Sequence, residues 1–247
     1  VHMDMTKKNS SLQKYNYDST QVSPDMAAFW TLTESAEFRE IMMMYRCAIR
    51  EVQTKFEVLD DELSHRRNRK PIEYIISRIK RPESIVEKLQ RKGYPITIES
   101  IVQNLNDVAG IRIVCSFIDD IYDIAKMLVK QDDVSLIEVK DYIRNPKPNG
   151  YRSHHMIIEI PIFLSDRKQP MRVEVQLRTI AMDFWSSLEH QLKYKRDVPH
   201  AEDIVSELRE CADVIAKTDA NMQEIKNRIY LDEMRIEDIW SSQEETS

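Results

Sequence analysis

Glycine is the residue that most limits what this chain can fold into, because only 3 of its 247 residues are glycine. Average usage is about 7%, and Gly93, Gly110 and Gly150 stand far apart in the sequence. A Gly-rich dinucleotide-binding loop and a P-loop both need clustered glycines. The sequence therefore excludes these two phosphate-binding motifs, together with collagen-like and Gly/Ser-linker architectures.

Cysteine usage and hydropathy narrow the class of protein further. Cys47, Cys115 and Cys211 are too few and too scattered for a disulfide framework or a CxxC zinc site. The chain has no apolar run of about 18 residues and no apolar signal core near its N-terminus. We therefore expect no membrane span, no export and a cytoplasmic location. Val1-His2, ahead of Met3, is interpreted as a remnant of an expression vector.

Charge is unevenly distributed along the chain. The formal net charge is −6, yet the segment from His65 to Lys92 holds ten basic and three acidic residues. Its local charge is +7, so the rest of the chain sums to −13. A basic segment in an acidic protein favours a focused anion-binding site over general adhesion to nucleic acid. A solvated basic helix face would give the same pattern.

Helical periodicity is strongest near the N-terminus. Apolar residues recur at steps of three and four from 35 to 63, which predicts one long amphipathic helix. The start signal Ser23-Pro24 precedes it. Four further helices are predicted: over 71–80, from Pro82 to just before Gly93, over Ile118–Val129, and from Ile180 to about Lys195.

Runs rich in valine and isoleucine predict four strands in the middle of the chain. Most positions in these runs are apolar, which is typical of a sheet covered by helices. A loop punctuated by Pro146, Pro148 and Asn149-Gly150 separates the second strand from the third. The predicted strands are Ile111–Phe117, Val134–Val139, His155–Ile162 and Met171–Leu177.

The C-terminal part of the chain carries a heptad pattern. Apolar residues between 202 and 231 alternate at steps of four and three, with one polar position at Thr218. Packing back on the domain and a subunit interface both fit this pattern. The predicted organisation is a flexible tail over 1–22, one domain over 23–198, a helical segment over 199–240, and a disordered tail over 241–247.

Two acidic residues form a candidate metal site. Read at period two, the last predicted strand places Glu174 on one face with Arg172, Gln176 and Arg178. Asp107 stands at the mouth of a separate strand. Two carboxylates from different strands suit Mg²⁺, which completes its octahedron with phosphate oxygens and water. Ordinary surface alternation would produce the same strand pattern.

Cations and planar side chains suited to a nucleotide polyphosphate occur in two segments. Lysine and arginine neutralise phosphate, and arginine and tyrosine faces can hold a base. His154 and His155 are disfavoured as metal ligands because no zinc-binding spacing accompanies them. The first segment supplies Arg78, Lys80 and Lys88, and the loop supplies Lys140, Lys147, Tyr151 and Arg152.

Five collinear segments resemble the motifs of (p)ppGpp synthetase domains in order and spacing. Over about 25 to about 230, the chain closely resembles the small alarmone synthetases of bacteria, of the RelP/RelQ type within the RelA/SpoT family. Together the five motifs are far more specific than any one alone. They are SRIKRPESIVEKL (77–89), NDVAGIRIVCSF (106–117), KDYIRNPKPNGYRSHH (140–155), VEVQLRTIAMDFWSSLEH (173–190) and LKYK (192–195).

The resemblance implies a fold and a reaction. The implied fold is α+β: a mixed β-sheet flanked by helices, similar to nucleotidyltransferases, with long N-terminal and C-terminal helices. The implied enzyme is a GTP pyrophosphokinase that moves the β,γ-pyrophosphate of ATP to the 3′-OH of GDP or GTP. Its products would be AMP and ppGpp or pppGpp, with Mg²⁺ as cofactor and no hydrolase activity. A cytoplasmic homotetramer and inhibition by single-stranded RNA are also among the implied properties.

The resemblance also assigns a role to each matched residue. Asp107 and Glu174 would be the catalytic Mg²⁺ ligands, and Glu174 would take the 3′-OH proton. Arg78 and Arg112 would sandwich adenine, and Tyr151 would stack on guanine. The implied ATP-binding residues are Arg78, Lys80, Ser84, Lys88, Arg112 and Arg178, and the implied GDP- or GTP-binding residues are Lys140, Lys147, Asn149, Tyr151, His155 and Gln176.

Three positions depart from the RelQ branch of the family, in which a central cleft of the tetramer binds alarmone and stimulates synthesis. Glu51, Ile76 and Asp183 stand where that branch has basic or small polar residues. An acid and an apolar residue are poor partners for a pentaphosphate, so weak or absent stimulation by alarmone is predicted.

Two alternative functions are compatible with the motifs. One is a toxin-type family member that pyrophosphorylates the 3′ end of tRNA, which the basic loop would also suit. The other is a non-catalytic module that binds RNA or a nucleotide. The presence of both Asp107 and Glu174 argues against the second, because without a metal each carboxylate repels a polyphosphate.

Overall fold

The computed structural model describes residues 24–67, 69–193 and 201–244. The predicted tail over 1–22 lies outside these residues, as do 245–247 of the predicted C-terminal tail. The helices are α1 (Pro24–Thr33), α2 (Ala36–Arg67), α3 (Pro82–Arg91), α4 (Ile98–Asn104), α5 (Ile118–Val129), α6 (Ile180–Lys193) and α7 (Ala201–Glu244). The strands are β1 (Ile72–Ile79), β2 (Ala109–Cys115), β3 (Ser135–Asp141), β4 (His154–Phe163) and β5 (Lys168–Thr179).

The five strands form one mixed sheet in the order β1-β2-β5-β4-β3. Strands β2 and β5 are parallel at its centre, and the other three neighbouring pairs are antiparallel. Helices flank the sheet, so the predicted α+β class is confirmed. Among the helices that the structure describes, none is long and apolar enough to cross a membrane.

Helix α2 covers part of the sheet with its apolar face and contacts β2, β4 and β5. Phe38, Tyr45, Val52 and Phe56 are buried along this face. Their spacing of seven, seven and four residues keeps them on one side of an α-helix. The long amphipathic helix predicted over 35–63 is therefore confirmed, and it continues to Arg67.

The prediction of a helix over 71–80 is wrong, because this segment is strand β1. The isoleucines of this segment recur at steps of one to three, a spacing similar to that of one face of a helix: Ile72, Ile75, Ile76 and Ile79. Isoleucine is stiff at χ1 and favours strands, and β1 pairs along its length with β2. Short α4, which begins after the Thr97 cap, is a helix that the sequence analysis did not predict.

The two faces of the sheet differ in burial along β5. Met171, Val173, Val175 and Leu177 are buried, whereas Glu174 and Gln176 on the other face are only partly buried. Alternation of this kind marks a strand with one face in the core and one face open to a ligand or to water. The partly buried face of β5 is the one that carries the predicted carboxylate.

Helix α7 packs back on the domain, which is one of the two interpretations of the heptad pattern. Ala212, Asp219 and Gln223 are buried on it, and Gln223 Nε2 donates to Asp119 Oδ2 at 2.6 Å. Ile225 and Ile229 of the heptad seam are exposed, so the packed face is rotated from the predicted seam. The helix runs to Glu244 and so includes four residues that the sequence analysis assigns to the disordered tail.

Burial of Asp219 predicts a pH-dependent effect on stability. Burial raises the pKa of this carboxyl, although the hydrogen bond from Thr179 Oγ1, at 2.7 Å, lowers it. A group whose pKa is raised in the folded state stabilises folding below its unfolded pKa, and that contribution is lost as pH rises through the folded pKa. Asp219→Asn is therefore expected to gain stability relative to wild type between about pH 4 and pH 7. Urea unfolding across this range checks it, and parallel stability curves for the two proteins would contradict it.

Candidate active site

Strand pairing brings six of the predicted site residues into two rows across the sheet. Residues directly opposite one another on neighbouring strands share a face. The two rows therefore place residues from all five strands on one surface. The first row is Ile76, Arg112, Gln176, His155 and Lys140, and the second is Arg78, Gly110, Glu174, Ile157 and Glu138.

Asp107 lies just before β2, between two lysines. Lys88 Nζ, from α3, is 2.6 Å from Asp107 Oδ2, and Lys80 Nζ, after β1, is 3.0 Å from the same oxygen. Burial raises the pKa of this carboxyl, but the two ammonium groups outweigh burial and hold the pKa below its usual value. Asp107 Oδ1 is buried and accepts no hydrogen bond from the described part of the chain. One oxygen of this carboxylate is therefore available to a ligand.

Glu174 belongs to a closed ring of five interacting side chains. Gln176 Nε2 donates to Glu174 Oε2 at 2.9 Å, and Arg178 Nη2 donates to Gln176 Oε1 at 3.2 Å. Arg178 Nη2 also donates to Tyr151 Oη at 2.7 Å, and Tyr151 Oη lies 2.8 Å from His155 Nε2. His155 Nδ1 closes the ring at 3.6 Å from Glu174 Oε1.

Both ring nitrogens of His155 face polar partners. Arginine can only donate, so Tyr151 Oη accepts from Arg178. His155 Nε2 faces Tyr151 Oη, and His155 Nδ1 faces Glu174. Burial raises the pKa of Glu174, but the neighbouring His155 and Gln176 lower it below the usual value, against an opposing contribution from Asp107. Glu174 is thus held as a carboxylate, although the negative charge of Asp107 acts to raise its pKa.

A cleft of about 190 Å³ opens beside Glu174 at the β3–β4 side of the sheet. Lys147 Nζ lies over two aromatic rings there, 4.7 Å from the centroid of Tyr142 and 4.9 Å from that of Tyr151. Lys140 Nζ is 2.9 Å from Glu138 Oε1. The residues lining the cleft are Glu138, Lys140, Tyr142, Lys147, His155, Ile157 and Glu174. Two lysines, a histidine and an aromatic wall suit a phosphorylated ligand with a planar base.

The loop between β3 and β4 is tied to the helices beneath it. Asn149 Nδ2 donates to Glu189 Oε1 on α6 at 3.1 Å, and Asn149 Oδ1 accepts from the backbone N–H of Tyr151 at 3.2 Å. Arg152 Nη2 is 3.2 Å from Asp213 Oδ1 on α7. Asn149 therefore has a structural role, because it supports the loop that carries Tyr151. Its contact with the guanine nucleotide stays a prediction.

The predicted ATP-binding residues separate into two groups. Arg78 is exposed on β1, and its side chain passes beside Gly110. Ser84 and Lys88 lie one turn apart on α3, facing the same side as neighbours at i and i+4 do. Lys80 and Lys88 contact Asp107, whereas Arg112 contacts Asp183 and lies opposite Gln176.

Arg178 is the exception among the predicted ATP ligands. Its side chain is only 4% exposed, and its guanidinium donates to Asp183, Tyr151, Gln176 and, through Nε at 3.4 Å, to Ser153 Oγ. It shares Asp183 Oδ1 with Arg112. Its guanidinium is therefore paired within the protein, and its contact with ATP stays a prediction.

Asp183, one of the three departures from the RelQ branch, lies in the first turn of α6. Its carboxylate contacts Arg112 and Arg178 and is buried. Glu51 and Ile76, the other two, are exposed. Weak or absent stimulation by alarmone stays a prediction.

Sequence reasoning missed Tyr142 as well as the role of Asp183. Tyr142 follows β3 within the basic loop, and its ring packs edge-on against His155 with centroids 5.2 Å apart. The position of Tyr142 between Lys140 and Lys147 in the sequence is the signal that could have indicated this residue. Among the described residues, no three or more His, Cys, Asp or Glu side chains are grouped so that they could hold a metal ion.

Comparisons with known proteins agree with the geometry. A family model described as a region found in RelA / SpoT proteins matches residues 77–198. The chain is 43% identical over 199 residues to the GTP pyrophosphokinase YwaC of Bacillus subtilis (strain 168), which covers 80% of this chain and 94% of that relative.

Solved structures give the same result for the fold. The structure resembles that of small alarmone synthetase 2 from Bacillus subtilis with a TM-score of 0.70 and 42% identity, over 78% of this chain and 99% of that chain. Small alarmone synthetase 1 from the same bacterium, solved bound to its product pppGpp, has a TM-score of 0.71 and 32% identity, over 79% and 100% of the two chains. The chain therefore belongs to the RelA/SpoT family, among the GTP pyrophosphokinases known as small alarmone synthetases.

Proposed function

We propose that this enzyme transfers the β,γ-pyrophosphate of ATP to the 3′-OH of GDP or GTP, giving AMP and ppGpp or pppGpp. The observation that carries the proposal is a pair of carboxylates from neighbouring strands. Asp107, just before β2, pairs with Lys80 and Lys88, and Glu174, on β5, borders the cleft lined by Lys140 and Lys147. ATP would occupy the Asp107 side, and the guanine nucleotide would occupy the cleft.

The reaction needs positioning and charge neutralisation more than covalent chemistry. Glu174 accepts the proton of the 3′-OH, whose oxygen attacks the β-phosphorus of ATP. The bond between that phosphorus and the α,β-bridging oxygen breaks, and AMP leaves. Lys80 and Lys88 neutralise the negative charge of the triphosphate at the Asp107 end of the site.

Mg²⁺ fits the residues present at this site. Asp107 and Glu174 would hold it, since both are kept deprotonated and Asp107 Oδ1 is buried without a hydrogen-bond partner in the described chain. Mg²⁺ is commonly bound by one or two carboxylates together with substrate phosphates. When bound, it would neutralise charge that develops on the phosphate oxygens.

The acceptor is tested by incubating the protein with ATP, Mg²⁺ and either GDP or GTP, and resolving the nucleotides by anion exchange. AMP formed in step with ppGpp or pppGpp is the expected result, with no product in EDTA. Labelled tRNA instead of a labelled guanine nucleotide would identify the toxin-type reaction. Added pppGpp should persist in the absence of ATP, as expected for an enzyme without hydrolase activity.

Tyr151 is expected to act mainly in binding the guanine nucleotide. Tyr151→Ala removes a stacking surface and should raise the KM for GDP or GTP about tenfold, while the KM for ATP changes little. Tyr151→Phe retains the ring and loses only the hydroxyl contacts with Arg178 and His155. Steady-state kinetics of both variants checks this, and an equal rise in the two variants would contradict a stacking role.

We also propose that the protein assembles with copies of itself. Exposed apolar side chains at every fourth position of α6 support this: Ile180, Phe184, Leu188 and Leu192. A contiguous exposed apolar stripe commonly marks a protein interface. Light scattering after size exclusion tests for the tetramer, and single-stranded RNA added to the synthesis assay tests for inhibition.

A further inference from the structure

Asp183 makes two hydrogen bonds and one further ion pair with side chains from three different strands. Its Oδ1 is 3.1 Å from Arg112 Nη1 of β2 and 3.0 Å from Arg178 Nη1 of β5. Tyr74 Oη of β1 donates to Oδ2 at 3.0 Å. The Asp183 side chain is only 8% exposed, so this is a buried anion held between two arginines.

The negative charge of Asp183 allows the two arginine cations to lie side by side. Both guanidinium groups contact the same Asp183 oxygen and so lie close together. Burial lowers the pKa of Arg112, and the cation of Arg178 lowers it further. Like charges repel strongly where water is excluded. Removing one member of a buried ion network leaves uncompensated charge, so its partners move or recruit water.

The two arginines have different predicted roles. The family resemblance assigns Arg112 to ATP, where its planar group would face adenine. Arg178 leads to the guanine side, because Nη2 donates to Tyr151 Oη and Gln176 Oε1. One buried carboxylate is therefore connected to both nucleotide subsites through a single side chain on each side.

We propose that Asp183 is a positioning residue, which orients Arg112 for ATP and, through Arg178, fixes Tyr151 and Gln176 for the guanine nucleotide. This inference rests on the proposed function. Asp183 touches neither substrate, so its loss should weaken the binding of both nucleotides at once. Loss of Arg112 should weaken the binding of ATP alone.

The test measures the Kd of ATP and the Kd of GDP separately, by calorimetry with Mg²⁺ and only one nucleotide present. Asp183→Asn is expected to raise both Kd values at least about tenfold, and Arg112→Gln only that of ATP. The matched control is Asp120→Asn, which breaks another buried pair, with Arg69 Nη1 at 2.8 Å. Asp120 lies in neither row, so this variant should lose stability but keep both Kd values.

The double variant Asp183→Asn with Arg112→Gln completes the experiment. If Asp183 acts on ATP through Arg112, the double variant should bind ATP within about threefold of Arg112→Gln alone. The double variant also removes one of the two cations, so less uncompensated charge remains after the loss of Asp183. If Asp183→Asn does not fold, the Kd of GDP is therefore measured on the double variant. Kd values within about twofold of wild type for Asp183→Asn, or additive losses in the double variant, would overturn the inference. Failure of the wild-type protein to bind ATP would instead overturn the proposed function.

Discussion

Glu174→Gln is expected to lower the rate of pyrophosphate transfer by at least about a hundredfold while leaving nucleotide binding largely intact. Glutamine keeps the shape of the side chain but removes the negative charge proposed to hold Mg²⁺ and to accept the 3′-OH proton. It also exchanges one hydrogen-bond acceptor for a donor, facing either Gln176 Nε2 or His155 Nδ1. Single-turnover rates at saturating ATP and GDP measure the chemical step without the effect of product release.

Glu138→Gln is the matched control for this prediction. Glu138 lines the same cleft as Glu174 and lies in the same row of the sheet, but its carboxylate pairs with Lys140. Its loss should change the rate by no more than about threefold, since it is proposed neither as a metal ligand nor as a base. Retention of more than about a tenth of the wild-type rate by Glu174→Gln would reject the proposed role of Glu174 as the base.

Gly150→Ala is expected to lower the free energy of unfolding by about 3 kcal/mol, from backbone strain and overpacking together. Gly150 has φ +87°, and an added Cβ would lie 2.5 Å from Ala212 Cβ on α7. The helix backbone at Arg209 is 3.6 Å away, so the new methyl group has no space to enter. The loop would have to move, and the KM for the guanine nucleotide should rise because Lys147 and Tyr151 flank this position.

Gly93→Ala separates strain from crowding. Gly93 has φ +72°, but no atom lies within 4 Å of an added Cβ. It should therefore lose only about 1 kcal/mol, the cost of a left-handed residue with a side chain. Urea unfolding of both variants gives the difference. Equal losses at the two positions would mean that contact with α7 does not hold the guanine-side loop.

The sequence predicts best those features that depend on local spacing. The alternation around Glu174 and the apolar period of α2 can be read from single segments, and both are confirmed as elements of the structure. Glu174 lies opposite Gly110, three residues after Asp107, because β2 and β5 are parallel neighbours, which the sequence alone does not establish. Family motifs supplied that relation by resemblance.

The structural features that the sequence analysis missed depend on contacts between residues far apart in the sequence. Ile72, Ile75, Ile76 and Ile79 fit a helical pattern almost as well as a strand, and only pairing with β2 decides between the two. Asp183 looks like an ordinary acid in the first turn of a helix until Arg112 is packed against it. Burial of Arg178 likewise depends on partners from a loop and a helix, so no pattern around residue 178 could have indicated it.

The proposed reaction moves the intact β,γ-pyrophosphate of ATP to the 3′-oxygen of a guanine nucleotide. The most direct measurement follows phosphorus from ATP labelled at the α- or at the γ-phosphate, with unlabelled GDP and Mg²⁺. We predict that γ-label appears in ppGpp and α-label appears only in AMP, at equal rates. α-Label in the guanine product, or γ-label released as inorganic phosphate with no labelled ppGpp, would contradict the account.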